Sequence, residues 1–543
     1  MPGDRRACRT SGSPGARRAG QERWPSLRGA RPRSRSTSGG ATARCAGTER
    51  RGRALTQPRN GNIEFAIQSG RCSMGSLRAL GRLDGVAQAE LVARREVAPS
   101  ELLDAFAERC EALNPLLRAI PTVDLERARS ARLRPGPFSG VPFLVKDATP
   151  YPGLRWSVGA RLFRHNVAPQ GVPYVDRIDQ AGLVTVGKSA TSELGLLGST
   201  ETLLEGITHN PWDLSLSASG SSGGAAAAVA AGIVPFAHGN DAGGSIRIPA
   251  SVCGLFGFKP SRDRCVPASL PSEFSALVSD HCISRSVRDS ALFLSVTEDP
   301  DGALPAVGYV QAPVARALRI AAWTRTLMDD EPEPEVRRAH DEAVALCLSL
   351  GHEVEPVVPP AVDGPALGDA FFLVAGSAVA ALLEMVDRMR GHPVQHDELE
   401  PFTWALADEL ARRGAGALAG ARRVFAASTE AYVAATRGFD AVLSPTLATR
   451  PWRIGHLSPV LPREELIRRT ARSVGYTPIH NVAGCPAMSV PLHWSDDGVP
   501  VGVHFAAARG ADALLLGLAY QLEEARPWRD RWAPFSYPRL FDA

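Results

Sequence analysis

From residue 84 onward the chain alternates between two hydrophobic patterns. Leu102, Leu103, Phe106, Cys110 and Leu113 recur at helical spacing, which predicts a helix over 100–113 with Ser100 as its N-cap. Pro99 separates it from a helix over 84–94. The unbroken apolar run Val141-Pro142-Phe143-Leu144-Val145 then predicts a buried strand that ends at Lys146. A helix over 172–181 and a strand over 183–186 follow. An alanine-rich segment, 225–231, has high helix propensity. Further strands are expected at 441–443, 487–490 and 501–505, and a closing helix at 511–524. Such alternation indicates an α/β layered fold with a buried sheet. The pattern is weakest between 262 and 480, where only the strand at 441–443 is assigned. The longest uncharged apolar stretch, 370–383, is too short to span a bilayer and contains Gly376 and Ser377. It is read as a helix that is buried or lines a substrate site.

Residues 1–73 break this pattern. They carry 16 arginines against Asp4, Glu22, Glu49 and Glu64, a net charge of +12, and show almost no apolar periodicity. A transit peptide, a basic nucleic-acid arm and translated sequence upstream of a working start at Met74 all fit this composition. The third is adopted, because the arm has neither lysines nor a clear amphipathic helix, and no apolar h-region marks a secretory signal. The expected organisation is therefore an extension, 1–73, and one catalytic domain, 74–543. The whole chain is +4, so the body is left at −8, which argues against a nucleic-acid partner.

Two features point to chemistry. Gly220-Ser221-Ser222-Gly223-Gly224 and Gly243-Gly244-Ser245 flank the alanine-rich helix, and glycines this dense let backbone N–H groups approach a ligand. The second feature is a shortage. Of 61 basic residues only Lys146, Lys188 and Lys259 are lysines. Arginine does not give up its proton at working pH, so a retained lysine suggests a task for an amine. Lys146, delivered by a buried strand, fits that task. Lys188 and Lys259 are read as structural. The nine cysteines are scattered, without a CxxC pair, which fits reduced thiols in the cytoplasm better than disulfides or zinc. The twelve histidines show no metal-ligand spacing, and no cofactor motif is present, so neither metal nor cofactor is expected. His238 and His504 are read as structural, and Cys485 as a packing residue that could also line an acyl site.

These residues resemble the amidase signature family. The resemblance rests on Asn210-Pro211-Trp212-Asp213, on the two Gly/Ser clusters, on Asp241-Ala242-Gly243-Gly244-Ser245-Ile246-Arg247-Ile248-Pro249-Ala250-Ser251 and on Gly257-Phe258-Lys259-Pro260. It implies a single α/β/α layered domain around a large mixed sheet, and a Ser–Ser–Lys triad that hydrolyses a small-molecule amide, linear or cyclic, through an acyl-enzyme. Carried over by position, Ser245 is the nucleophile, Ser221 the bridging serine after a cis peptide bond, and Lys146 the base. The N–H groups of Ala242, Gly243, Gly244 and Ser245 would form the oxyanion hole. Ser222, Asp241 and Arg247 would support the network. Ser219 and Asn240 depart from the commoner glycine and threonine or serine. Shorter runs, His238 to Asp241, Ser286 to Asp289 and Gln521 to Trp528, are similar to a subfamily of amidases acting on nylon oligomers. A homodimer is compatible with this reading.

Three other readings compete with this one. Gly220 to Gly224 also satisfies the G-x-S-x-G elbow of α/β-hydrolases, with Ser222 as nucleophile, but 214–219 is too polar for the buried strand that should precede it. A glycine-rich anion-binding module would cradle phosphate, but no Walker pattern is present and the body is acidic. The A-type glutaminase component of a tRNA-dependent amidotransferase remains the alternative within the family.

Overall fold

Eight strands build the central sheet, and their side chains explain its two covers. In the computed structural model, residues 79–269, 272–414 and 416–541 are described. All belong to one compact unit, Phe65–Ala543. Three strands form a small sheet of order β1–β3–β2: β1 (Thr122–Val123), β2 (Pro142–Lys146) and β3 (Val184–Ser189). The large sheet comprises β4 (Phe236–Asp241), β5 (Phe256–Lys259), β6 (Ser279–Ser284), β7 (Arg319–Ala322), β8 (Glu353–Pro356), β9 (Ala441–Pro445), β10 (Ala487–Trp494) and β11 (Pro500–Ala507). Its order is β8–β7–β9–β11–β10–β5–β6–β4. β7 pairs parallel with β8 and β9, and the remaining pairs are antiparallel.

Alternate residues of a strand face opposite ways, and here they enter different cores. Leu443, Met488 and Phe505 pack with Val336, Ala343, Leu515 and Leu518 of the helices Pro334–Ser349 and Asp512–Ala525. Their neighbours Val442, Ala487 and Ala506 pack with Tyr432, Tyr476 and Ile479 on the other face. The mixed sheet between helical layers agrees with the α/β/α expectation. The strand ending at Lys146 lies in the small sheet, with Val145 opposite Lys188 and Lys146 opposite Ser189.

Several elements differ in extent from their predicted forms. The helix expected over 100–113 runs Pro99–Leu117, so Pro99 opens it and Ser100 is not its cap. Proline's fixed φ and missing N–H suit the first turn, and the Glu101 carboxylate accepts from the Ala98 N–H at 2.7 Å. The apolar stretch at 370–383 is part of a 27-residue helix, α1 (Gly364–Arg390). It is the one helix among the described residues long and apolar enough to cross a membrane. Ala370, Leu373 and Val374 nevertheless pack against Ala421 of the helix Gly416–Thr436. Residues 214–219, judged too polar for a buried strand, contribute 214–217 to the strand Asp213–Ser217, which pairs in a two-stranded ribbon with His209–Asn210 and is buried only at Ser217.

The alanine-rich segment forms α2 (Gly223–Ala230), every residue of which is buried. Small side chains let it lie directly against neighbouring backbone. A Cβ added at Gly224 would stand 2.3 Å from the Ala190 nitrogen and 2.5 Å from the Ala119 oxygen. The glycines and alanines therefore set how closely α2, and Ser221 just before it, approaches the rest of the site.

Candidate active site

Three elements converge where the two Gly/Ser clusters meet. β2 ends at Lys146, which is fully buried. Its Nζ donates to Ser221 Oγ at 2.7 Å and to Asn240 Oδ1 at 2.6 Å. Ser221 follows a cis Gly220–Ser221 peptide bond at the entry to α2, and Asn240 sits near the end of β4. The Lys146 backbone N–H donates to His238 Nδ1 at 3.3 Å, which leaves His238 Nε2 to donate to Asp280 at 3.2 Å. His238 is thus structural, and burial lowers its pKa.

The electrostatics suit a base. Burial lowers Lys146 from the usual 10.5 to about 7, against the opposing pull of Asp280 and Asp241. Lys188 and Lys259 are also buried, and burial lowers them to about 8 and about 7. Lys188 donates to the Thr149 carbonyl and stands 3.5 Å from Asp147. Lys259 donates to the Pro260 carbonyl at 2.8 Å and to Ser279 Oγ at 3.4 Å. Lys146 alone of the three reaches the glycine–serine clusters.

Ser245 lies in the turn between β4 and the helix Arg247–Cys253, half-buried, on the wall of a cavity of about 440 Å³ that Gly220, Ala242 and Gly243 also line. The turn is fixed by a buried ion pair. Asp241 accepts two bonds from the Arg247 guanidinium, each 2.9 Å, and one from the Gly244 N–H at 2.7 Å. Burial alone would raise the Asp241 pKa, but the Arg247 charge and its hydrogen bonds outweigh this and hold the carboxyl well below its usual range. Arg247 is further held by the Thr477 carbonyl, Asn481 Oδ1 and His504 Nε2. Both residues brace the turn.

One expected role changes. The Gly244 N–H is directed to Asp241, so it is removed from the oxyanion set. Ala242, Gly243 and Ser245 remain as candidates, and their N–H groups have no protein acceptor among the described residues. Gly244 keeps a different role. Its φ of +133° and a would-be Cβ 2.4 Å from Thr477 Oγ1 both require glycine. Ser222 is fully buried and donates to the Asn240 carbonyl at 3.3 Å, so it is enclosed where an elbow nucleophile would be exposed. Ser219 adopts φ +58°, in the left-handed region.

The sequence pattern leaves other site residues unmarked. Asn240 stands out there only as a departure, yet it is the second acceptor for Lys146. Thr477 Oγ1 donates to the Gly243 carbonyl at 2.6 Å, and Asn481 Nδ2 to the Asp241 carbonyl at 2.7 Å. Together they clamp both sides of the turn that carries Ser245. Asn481 opens the run that contains Cys485, whose thiol is the more conspicuous group. Cys485 does not line the cavity; it packs with Val442, Ile479 and Ala487. The cavity wall is largely apolar, with Leu197, Ile248, Phe274, Leu327, Phe371 and Phe372 among its residues. The apolar helix α1 therefore does line the site, through Leu367 and the two phenylalanines. Among the described residues no group of three His, Cys, Asp or Glu side chains is placed to hold a metal ion.

A sheet-borne buried lysine joined to a glycine-loop serine, beside an apolar cavity with a second serine, defines a hydrolytic class of site. The family model for amidases matches residues 101–516, and the chain belongs to the amidase signature family, whose members hydrolyse amide carbon–nitrogen bonds. It is 36% identical over 479 residues to the 6-aminohexanoate-cyclic-dimer hydrolase of Pseudomonas sp. (strain NK87), covering 82% of this chain and 95% of that one. Among solved structures it is similar to 6-aminohexanoate cyclic dimer hydrolase complexed with substrate, at a TM-score of 0.77 and 32% identity, over 84% of this chain and 99% of that one. It is less similar to the A-type component of glutamyl-tRNA(Gln) amidotransferase from Thermotoga maritima, at 0.68 and 26%, over 83% and 96%.

Proposed function

We propose that this amidase cleaves small, largely apolar amides, linear or cyclic, through Ser245, Ser221 and Lys146 and a covalent acyl-enzyme. The observation that carries the reading is the 2.7 Å contact between Lys146 Nζ and Ser221 Oγ, made by a lysine whose pKa burial lowers to about 7. A serine hydroxyl needs a base to become a useful nucleophile. Neutral Lys146 takes the proton of Ser221 while Ser221 takes that of Ser245, and Ser245 Oγ attacks the amide carbon. The oxyanion is held by the N–H groups of Ala242, Gly243 and Ser245. The carbon–nitrogen bond breaks as Ser221 passes a proton to the leaving amine and recovers one from Lys146. Water then attacks the ester, its proton leaving by the same route, and the acid is released with Ser245 restored.

The test is chemical. A fluorophosphonate should label Ser245, as located by peptide mapping, and Ser245→Ala should abolish both labelling and turnover. Ser221→Ala should leave Ser245 reactive but slow, because the proton path is cut while the oxyanion donors stay. A label on Ser222, with Ser245→Ala still active, would overturn the assignment.

A further inference from the structure

The cavity beside Ser245 is apolar along most of its wall, but Asp369, Arg463, Glu464 and Arg468 interrupt it. Arg463 lines it from the start of the helix Arg463–Ser473. Its side chain is only 16% exposed, and its Nε is buried without a hydrogen-bond partner among the described residues. The nearest carboxylate in an ion pair with it is Glu464, 3.5 Å from Nη1 and itself 80% exposed. A contact that long, to a carboxylate that exposed, neutralises little.

The other charged groups around the mouth are satisfied. Arg468 is bound bidentately by Glu465, at 3.0 and 2.7 Å. Asp369 is bound by Arg413 at 2.6 and 2.7 Å. Glu409, whose carboxyl also feels the Arg463 charge, already accepts from Arg412 and Arg413. Arg463, on the cavity wall, thus keeps donor capacity that no protein carboxylate takes up beyond the long contact to Glu464. A guanidinium presents a planar fork matched to a carboxylate.

We infer that Arg463 is a specificity-determining residue that anchors a carboxylate on the substrate, so that the preferred substrates are amides joining an apolar chain to an anionic end. This rests on the reading in which Ser245 is the nucleophile of the same cavity. The chain length between amide and carboxylate is then limited by the cavity, and neutral amides of equal length bind without the anchor.

Two matched pairs of amides test this. In one pair the acyl arm of a six-carbon 4-nitroanilide ends in a carboxylate or a methyl group. In the other a hexanoyl amide carries the same two endings on its amine arm. The wild-type enzyme should favour the carboxylate member of at least one pair by about tenfold to a hundredfold in kcat/KM, mostly through KM. Arg463→Gln should erase that preference while keeping turnover of the methyl-ended amides, which also shows that the variant is folded. Arg463→Lys should restore part of it.

Protection of Ser245 from a fluorophosphonate by adipamic acid, compared with hexanamide, gives a readout that needs no turnover. Where the acyl-arm pair carries the preference, adipamic acid should protect better in the wild type and no better in Arg463→Gln. The inference is overturned if the wild type prefers the methyl-ended member of both pairs or shows no preference, or if Arg463→Gln keeps the preference. Loss of turnover of all four amides in Ser245→Ala tests the nucleophile separately, so failure of the anchor and failure of the triad give different results.

Discussion

Replacing Lys146 by arginine separates a proton acceptor from a mere positive charge. With the usual pKa of 10.5, about one lysine in 3,000 is neutral at pH 7; with the value of about 7 that burial imposes, about half are. The gain in reactive base is on the order of a thousandfold, equivalent to about 4–5 kcal/mol of discrimination against the charged form. Arginine keeps the charge but cannot supply a neutral nitrogen at any working pH. Lys146→Arg should therefore fall to the level of Lys146→Ala, at least a thousandfold below wild type. The assay is kcat/KM for a chromogenic anilide between pH 5 and 9. Wild-type activity should rise about tenfold per pH unit below 7 and level off above it, as Lys146 loses its proton. A stability experiment checks the sign independently. Between pH 7 and 10.5 the unfolded chain holds a proton on this lysine that the folded chain does not, so this residue makes stability increase with pH across that window. Lys146→Met should remove that contribution. A flat rate profile, or more than a tenth of wild-type activity in Lys146→Arg, would refute the role of Lys146 as base.

Two further outcomes are expected. Asp241→Asn should lower unfolding stability by about 3–5 kcal/mol in denaturant titrations, because Arg247 is left as an uncompensated buried charge, and activity should fall with the loss of the turn. The second concerns Glu193 and Glu400, both buried: the Glu400 N–H donates to Glu193 Oε1 at 2.8 Å. Burial, and for Glu400 also the Glu193 charge, raises both carboxyls above their ordinary range. Stability from this pair is fully present below the unfolded value of 4.5 and is lost as pH rises through the raised folded values. Glu400→Gln should flatten that loss in pH-dependent thermal melts, and an unchanged slope would count against a raised Glu400 ionisation.

How much of this was legible in the sequence depends on how local each signal is. The strand before Lys146, the alanine helix and the strands at β9 to β11 announce themselves by runs of apolar residues. β4 did not, because Phe236-Ala237-His238-Gly239-Asn240-Asp241 places polar site residues where a strand pattern should be. β6 to β8 are short or polar at the positions that would mark alternation: Ser279-Asp280-His281 opens β6, and β8 is the exposed edge Glu353-Val354-Glu355-Pro356. Lys146 is singled out by the lysine shortage and the strand before it, but Ser245 and Ser221 take their expected roles from the resemblance to the amidase signature pattern. The clamp by Thr477 and Asn481 could not be named, since it joins residues more than 230 positions apart. Nor could the spent N–H of Gly244, which depends on the Asp241 side chain reaching forward three residues.

Asn240 places a neutral acceptor beside Lys146, the proposed base. Lys146 directs one N–H to Asn240 Oδ1 at 2.6 Å. When the amine is neutral, that bond orients its lone pair, and the Ser221 hydroxyl at 2.7 Å is the group positioned to use it. An amide oxygen does this without adding charge. A carboxylate in the same place would favour the ammonium form and raise the lysine pKa by about 1–3 units, as an adjacent opposite charge does. Asn240→Asp is nearly isosteric, so it should leave the fold and fluorophosphonate access to Ser245 intact while moving the ascending limb of the rate profile from about pH 7 toward pH 8–10. At pH 7 this is a loss of about fivefold or more, recovered on raising the pH. Asn240→Ala removes the orienting bond instead and should lower the plateau without that recovery. An Asn240→Asp profile superimposable on wild type would mean that the ionisation governing the rate is not that of Lys146.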